Sequence, residues 1–257
     1  MGRVTVTALR DARGPYVTWE SAFPAATQRD WVKARAADPG AFADDGRWQL
    51  EFRAFLIRSA ARTTLVDVGI GPESAPAQGW APVPGNLPAV LSAEGVALSD
   101  VDTVVLTHLH SDHCGWAVTP DGDPMFPNAR YVLQQDEVEW VTDEIASYVV
   151  RPLRKAGVLH EVSGETTLNT LRTGERTTVV PTPGHTPGHQ SVVIENGSRQ
   201  LVVTGDVLVH AVQLVSPAVS YIYEENPDQA RETRVALLAR GAELATPHLT
   251  NPFVTTR

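Results

Sequence analysis

The sequence feature that most constrains the fold is a run of three histidines and one aspartate at residues 108–113 (HLHSDH). The run follows residues 101–107 (VDTVVLT), whose β-branched and apolar character predicts a buried strand. A strand end is rigid, and a turn after it can bring non-adjacent side chains together. Imidazole nitrogen and carboxylate oxygen suit zinc and neighbouring first-row metals. A polar loop with chance histidines is the alternative, but three of eight histidines within six residues disfavour it.

The remaining sequence predicts short strands that alternate with helices. The hydrophobic pattern predicts further strands at 4–9, 52–57, 63–68, 131–133, 177–180, 190–195, 200–204 and 243–246. Asn196-Gly197 predicts a hairpin turn. Helices are expected at 135–150 and at 228–240, the second with Asn226 or Asp228 as its cap and Gly241 as its stop. Two packed sheets with helices outside, forming one domain over residues 1–257, are the resulting expectation.

Composition excludes several classes of protein. Thirty acidic against 21 basic residues give a formal net charge of −9, and no run of Lys or Arg predicts a nucleic-acid interface. A single cysteine, Cys114, rules out an intrachain disulfide framework. No stretch of 18 apolar residues predicts a membrane span, and the first residues lack the apolar core of a secretory signal. A cytoplasmic location is therefore expected.

The histidine run resembles the HxHxDH signature of the metallo-β-lactamase superfamily. Four further segments resemble that family's motifs in the family's order: LVDVG at 65–69, PGHTPGH at 183–189, TGD at 204–206 and ATPH at 245–248. The five segments span most of the chain. The resemblance implies an α+β fold, the αββα four-layer sandwich of that family.

The resemblance also implies a centre with two divalent metal ions. The implied ligands are His108, His110 and His185 for the first metal and Asp112, His113 and His248 for the second, with Asp206 bridging. Within 183–189 the family pattern favours His185 over His189 as the ligand. Cys114 does not occupy the position of the family's cysteine ligand and is expected to be a small buried residue. Zinc is the expected metal, with manganese, iron and cobalt as alternatives.

Two dications roughly 3.5–4 Å apart can share a bridging hydroxide and lower the pKa of its parent water toward roughly 7. That hydroxide can attack an ester or lactone carbonyl without a protein nucleophile, and no G-x-S-x-G motif offers one. Asp112 is in addition a candidate proton shuttle to the leaving group. Residues expected to orient the ligands are Asp67, Thr107 and His189.

Aromatic and polar residues near the motifs are candidates for the substrate pocket. These candidates are Trp116, His210, Tyr221 and Tyr223. The aromatic-rich segment 16–48 is interpreted either as a lid beside the metals or as core packing or a subunit contact. Both alternatives stay open at this point.

Residues 205–219 and 248–253 resemble the methyl parathion hydrolase and lactonase-like branch of the superfamily. Many acyl-homoserine lactonases carry a tyrosine three residues after the bridging aspartate, where this chain has Val209; Tyr221 or Tyr223 is the candidate replacement. The leading hypothesis is a dinuclear hydrolase (an esterase or lactonase) of a small-molecule carboxylic ester or lactone, with promiscuous phosphotriesterase activity. The alternatives are an acyl-thioesterase or polyketide-cyclase-type enzyme, and a non-catalytic metal-binding or sensor protein. The sequence leaves a homodimer open.

Overall fold

A computed structural model describes residues 4–59, 62–170 and 174–255, which form two six-stranded β-sheets. The first sheet has the spatial order β1 to β6. Its strands are β1 (Thr5–Thr18), β2 (Arg47–Arg58), β3 (Thr63–Val66), β4 (Thr103–Val105), β5 (Arg130–Gln134) and β6 (Leu159–Val162). The pairs β1–β2 and β2–β3 are antiparallel, whereas β3 to β6 run parallel.

The second sheet has the order β12-β11-β10-β9-β8-β7. Its strands are β7 (Thr166–Thr170), β8 (Arg176–Pro181), β9 (Gln190–Asn196), β10 (Arg199–Val203), β11 (Glu243–Ala245) and β12 (Phe253–Thr255). Among the described strands of this sheet, only β10 and β11 pair in parallel. The hairpin predicted at Asn196-Gly197 joins β9 to β10, and Gly197 supplies the positive φ of 61° that such a turn needs.

The two sheets pack face to face because successive side chains of a strand point to opposite faces, and those on the facing sides are largely apolar. On β2, Phe55 and Ile57 lie in the cluster between the sheets, and Ala54 and Leu56 lie in a second cluster on the outer face. The inner cluster takes further buried residues from both sheets: Val66, Val105, Val132, Val179, Val192, Ile194, Val203 and Ala245.

Helices cover the outer faces of both sheets. They are α1 (Trp19–Ala22), α2 (Gln28–Ala37), α3 (Leu87–Ala93), α4 (Gln135–Trp140), α5 (Asp143–Ile145), α6 (Arg151–Lys155), α7 (Ala211–Val215) and α8 (Pro227–Leu238). Leu91 of α3 and Leu153 of α6 pack on the first sheet, while Leu237 of α8 packs on the second. The order helix, sheet, sheet, helix confirms the predicted four-layer α+β sandwich. The single domain over 1–257 stays a prediction.

The helix predicted at 135–150 is wrong as one element. The structure has α4, an extended Val141 with ψ 147°, then α5 and a π-helical turn at Ala146–Val150. The side chain of Thr142 accepts the N–H of Ile145 and begins α5. A threonine that caps a new helix competes with continuation of the preceding one. The apolar residues therefore keep their helical spacing although the helix is interrupted at Val141 and Thr142.

The first strand is longer than predicted. β1 continues past Leu9 to Thr18, although Gly14 and Pro15 resemble strand breakers in the sequence. β1 is an edge strand, where a proline can be tolerated, and a register shift follows Pro15 before pairing resumes at Thr18. The helix predicted at 228–240 is confirmed as α8, with Asn226 as its cap and Gly241 after its end.

One edge of the sandwich gathers the ends of five strands. β3, β4, β8, β10 and β11 end shortly before Asp67, residues 108–113, His185, Asp206 and His248 respectively. Within the described residues, none of the helices has the length and apolar character that crossing a bilayer requires.

Candidate metal centre

The loop after β4 carries four of the seven predicted ligands. The N–H of His113 donates to the carbonyl of His110 at 3.0 Å, which closes residues 110–113 into a tight turn. The neighbouring strand β3 is followed directly by Asp67, whose N–H donates to the carbonyl of Val105. Asp67 has φ 58°, a left-handed conformation that is uncommon outside glycine. The end of β3 therefore lies directly beside the ligand-bearing loop.

The first group of ligand atoms comes from His108, His110, His185 and Asp206, which all lie within 4.8 Å of one another. Nδ1 of His110 is 3.0 Å from Nε2 of His108 and 2.9 Å from Nε2 of His185. Nε2 of His185 is 3.2 Å from Oδ2 of Asp206. Residues from both sheets meet in this group.

The second group consists of Asp112, His113 and His248, again within 4.8 Å of one another. Nε2 of His113 lies 3.5 Å from Oδ2 of Asp112. Oδ1 of Asp206 lies 3.2 Å from Nε2 of His113 and 3.0 Å from Nε2 of His248. The two oxygens of Asp206 thus face different groups, which is the geometry of a carboxylate shared between two ions.

The donor set fits divalent metal ions. Nitrogen and oxygen ligands at roughly 2.0–2.1 Å from a tetrahedral zinc stand roughly 3.3 Å apart, close to the separations within both groups. Nε2 of His113 is buried and, within the described residues, has no hydrogen-bond partner, while Nδ1 of the same ring contacts Asp67. Such a buried atom is costly unless something binds it.

The electrostatics of the first group suit metal binding. Burial lowers the pKa of His108 and of His185 well below the ordinary value, so both rings are neutral. Burial opposes the charge of Asp206, but the neighbouring His113 and His248 outweigh it and hold the pKa of Asp206 well below its usual range. Neutral imidazole and ionised carboxylate are the forms that bind metal.

Asp67 and Thr107 orient the ligands from behind. Asp67 accepts the N–H of Thr107 at 2.7 Å and its hydroxyl at 2.9 Å, and its Oδ2 lies 2.8 Å from Nδ1 of His113. The hydroxyl oxygen of Thr107 lies 3.0 Å from Nδ1 of His108. Each contact holds the outer ring nitrogen, which leaves Nε2 of His108 and of His113 directed into the cluster.

His189 contacts the backbone of Asp206 and is not in either ligand group. Its Nε2 accepts the N–H of Asp206 at 3.0 Å, and its Nδ1 lies 2.9 Å from the hydroxyl of Thr182. Burial lowers the pKa of His189 to about 3, so the ring is neutral and can accept. Cys114 is buried and lies outside both groups.

Two buried charged residues beside the site, Glu137 and Arg53, were not predicted. Glu137 accepts the N–H of Leu109, and Arg53 donates to the carbonyl of Pro247, next to His248. Glu137 lies in the helix predicted at 135–150, and Arg53 lies in the apolar strand predicted at 52–57. A charge within such a strand is the one signal that could have indicated a buried, paired group.

A cavity of about 360 Å³ opens above the ligand groups. Its walls are aromatic and aliphatic: Tyr16, Trp48, Leu50, Trp80, Val209, Tyr221 and Tyr223. Its floor includes His110, Ser111, Asp112, His185, Asp206 and His248. The ring of Tyr221 is parallel to that of His185 within 7°, at 6.3 Å between centroids. Burial raises the pKa of Tyr221 and of Tyr16, so both hydroxyls keep their protons.

The structure places Tyr221 and Tyr223 in the cavity wall but Trp116 and His210 elsewhere, in contrast to the expectation for those two residues. The indole N–H of Trp116 donates to Asp11 at 3.1 Å, and the residue does not line the cavity. His210 caps α7 by accepting the N–H of Val212, and aromatic rings surround it. Burial in that apolar shell lowers the pKa of His210 to about 3.

The aromatic segment 16–48 divides between the two interpretations. Tyr16 and Trp48 line the cavity, whereas Phe23, Trp31 and Phe42 are buried in a hydrophobic cluster beneath it. Trp48 belongs to both, because its ring also packs edge-on against His210 at 5.1 Å. The segment therefore forms one wall of the cavity and anchors it in the core.

Known proteins resemble the chain in sequence. An N-acyl homoserine lactonase AttM from Rhizobium radiobacter is 32% identical over 132 residues, which are 45% of this chain and 44% of the relative. The AttM protein of Azorhizobium caulinodans is 27% identical over 179 residues, 62% of each chain. The matched region thus spans less than two thirds of these relatives.

Solved structures match over nearly the whole chain. The hydrolase AbOPH of the β-lactamase superfamily has a TM-score of 0.77 at 27% identity, covering 98% of this chain and 89% of that one. The dizinc quorum-quenching lactonase AidC has a TM-score of 0.78 at 20% identity, covering 99% and 90%, and this likeness concerns the fold alone. The model of the Metallo-beta-lactamase superfamily matches residues 53–238. The chain belongs to the metallo-β-lactamase superfamily.

Proposed function

We propose that the chain is a dinuclear metal-dependent hydrolase of small carboxylic esters or lactones. One observation carries the proposal: two groups of ligand atoms share the carboxylate of Asp206 at the floor of an aromatic cavity. A sensor protein would need neither the shared carboxylate nor a cavity that opens directly onto both groups.

His108, His110 and His185 would hold the first metal, Asp112, His113 and His248 would hold the second, and Asp206 would be shared between them. Zinc is the expected ion for such nitrogen and oxygen donors. Two divalent cations, when bound, supply Lewis acidity toward a carbonyl oxygen and lower the pKa of a water molecule.

The chain's own residues supply proton transfer and orientation. Of the described residues that line the cavity, only Asp112 and Asp206 carry carboxyl groups. Asp206 faces both ligand groups, so Asp112 is the candidate to pass a proton to the departing alkoxide. Tyr221 keeps its hydroxyl proton and is the candidate donor to the substrate's carbonyl oxygen. Tyr221 lines the same cavity as Val209, whose side chain cannot form a hydrogen bond.

The walls of the cavity favour an apolar substituent on the substrate. Trp80 and Tyr223 are 38% and 48% exposed, so they extend the apolar surface of the cavity to its mouth. Apolar side chains that project into water at a cavity mouth gain free energy when a hydrophobic ligand covers them. N-acylated lactones, on which the AttM relatives act by name, combine a reactive carbonyl with such a substituent.

The test is elemental analysis of the purified protein, paired with turnover of an ester, an N-acylated lactone, an acyl thioester and a phosphotriester. We expect about two metals per chain, highest turnover on the ester or lactone, loss of activity on chelation and recovery on adding zinc.

The variants Asp206→Ala and His185→Ala should lose both metal and turnover. His160→Ala is the matched control, since His160 is exposed on β6, and it should behave as the wild type. Metal binding without turnover of any compound would instead support a sensor, and preferred thioester cleavage would support a thioesterase.

A further inference from the structure

Two buried side chains of opposite charge contact the backbone on either side of the ligands without belonging to a ligand group or to the cavity wall. These are Glu137 on α4 and Arg53 on β2. We propose that they are positioning residues, each for one metal subsite: Glu137 sets the affinity of the first metal and Arg53 that of the second. This inference rests on the proposed two-metal centre.

Glu137 joins the two loops that carry all three imidazoles of the first group. Its Oε1 accepts the N–H of Leu109 at 2.8 Å, between His108 and His110. Its Oε2 accepts the hydroxyl of Thr186 at 2.6 Å, directly after His185. One carboxylate therefore fixes the separation of loops that are far apart in the chain.

A third donor shows how closely the second loop approaches α4. The N–H of Gly188 donates to Oε2 of Glu137 at 3.2 Å. A Cβ at position 188 would lie 2.0 Å from the backbone nitrogen of Glu137, so only glycine permits this approach. The carboxylate thus has three donors, which a buried charge requires. A glutamine amide offers one acceptor oxygen and places an NH₂ group against some of those donors.

Arg53 holds the loop that carries His248. Its Nη1 donates to the carbonyls of Pro247 and Leu249, the residues on either side of His248. Its Nη2 donates to the carbonyl of Thr250 at 3.2 Å and pairs with Glu51 at 3.0 Å. A guanidinium reaches several acceptors in one plane, which a lysine ammonium cannot reproduce.

The backbone of β2 also orients the ring of His248. Nδ1 of His248 donates to the carbonyl of Glu51 at 2.7 Å, two residues before Arg53. β2 therefore holds both the loop that carries His248 and the ring of His248. Since His248 lies in the second group only, the contacts of Arg53 and Glu137 act on different subsites.

The experiment measures two zinc affinities for each variant by titrating metal-free full-length protein in competition with a chromophoric chelator. Glu137→Gln should weaken the first metal roughly 10- to 100-fold, as loss of outer-sphere support typically does, and leave the second unchanged. Arg53→Lys should weaken the second and leave the first unchanged. The absorption bands of bound Co²⁺ identify the subsites, with His110→Ala and Asp112→Ala as references that impair the first and the second respectively.

Leu153→Ala is the matched control for general destabilisation, because Leu153 is fully buried on α6 in the outer cluster of the first sheet. It should lower the unfolding temperature and leave both affinities unchanged. If Glu137→Gln fails to fold, Thr186→Val removes one donor to the same carboxylate and should weaken the first metal to a smaller extent.

Equal weakening of both metals in either variant, or stability loss with unchanged affinities as in Leu153→Ala, would overturn the assignment of separate roles. Failure of the proposed function has a different signature, because the wild type itself would then not bind two metals.

Discussion

A substitution at Tyr221 can test the chemistry of the cavity without changing its shape. Its ring stacks on His185, whereas its hydroxyl is the proposed donor to the substrate. Tyr221→Phe keeps the ring and removes the donor, so kcat/KM for an ester or lactone should fall roughly 10- to 100-fold with unchanged metal content. Tyr223→Phe is the control, since Tyr223 lines the same cavity but is 48% exposed at its mouth. Equal effects of the two substitutions would contradict the role given to Tyr221.

Glu137 should make the stability of the metal-free protein depend on pH. Burial raises its pKa to about 7 from the ordinary 4.5, although three hydrogen bonds oppose the shift. Between these values the folded chain holds a proton that the unfolded chain has released. The free energy of unfolding should therefore fall by about 3 kcal/mol as pH rises through this window and then level off.

Urea denaturation of chelator-treated protein at pH 5 and pH 8 measures this difference in stability. Glu137→Gln has no carboxyl to titrate, so its pH dependence should be smaller by about the same 3 kcal/mol. Bound dications favour the ionised carboxylate, so the metal-loaded protein should also lack most of this slope. A variant with the slope of the wild type would assign the titration to another group.

At the residue scale, the clustering of the candidate ligands was easier to predict than the contacts of Glu137 and Arg53. His108 to His113 are adjacent in sequence and follow a strand, so their chemistry is visible locally. Glu137 and Arg53 contact backbone atoms that lie 28 to 51 and 194 to 197 residues away. Backbone partners carry no sequence signature, and only the folded chain brings them within reach.

The loop that brings Tyr221 to the cavity depends on α8. Arg234 of α8 donates to the carbonyls of Pro217 and Val207 and pairs with Glu224 at 2.7 Å, with both side chains 1% exposed. Arg234→Leu would leave the charge of Glu224 buried and unpaired, which typically costs about 3–5 kcal/mol. Urea denaturation should show this loss, and turnover should fall because residues 217–224 lose their anchor.

Arg231→Leu is the matched change one turn earlier on the same helix. Arg231 is half-exposed and pairs with Asp228, whose side chain is 83% exposed. Such surface pairs contribute about 0–1 kcal/mol, so this variant should remain close to the wild type. A comparable loss from both substitutions would mean that helix propensity, not the buried ion pair, controls the stability of α8.

At the scale of elements, hydrophobic spacing predicted the buried face of a helix or strand better than the residues at which it begins and ends. The apolar positions between 135 and 150 do face the core, yet Thr142 divides the segment into separate helices. β1 passes through Gly14 and Pro15 because an edge strand tolerates them. Both errors arise where a local hydrogen bond or a position in the sheet overrides the average preference of the residue.

For the whole molecule, the sequence predicted two sheets with outer helices, but nothing in it indicated the strand order or the register of strand pairing. Those depend on which apolar faces meet, and the inner cluster combines Phe55 and Val66 of one sheet with Val192 and Val203 of the other. The candidate metal centre lies where both sheets end, with His108 and His113 following the first sheet, and His185, Asp206 and His248 following strands of the second.

Because each ligand group draws on both sheets, metal binding should stabilise the entire sandwich. An ion at about 100 times its dissociation constant adds about 2.7 kcal/mol to the stability of a folded chain. For a chain of this size each kcal/mol shifts the unfolding temperature by about 2–4 °C, so chelation should lower it by at least about 5 °C. Scanning calorimetry with chelator, and then with excess zinc, measures the shift and its reversal. Asp206→Ala should unfold at the same temperature with or without chelator, since it lacks the carboxylate that both groups share. If chelator left the unfolding temperature of the wild type unchanged, the two sheets would be held by their apolar interface alone and the ligand cluster would not bind metal in the folded chain.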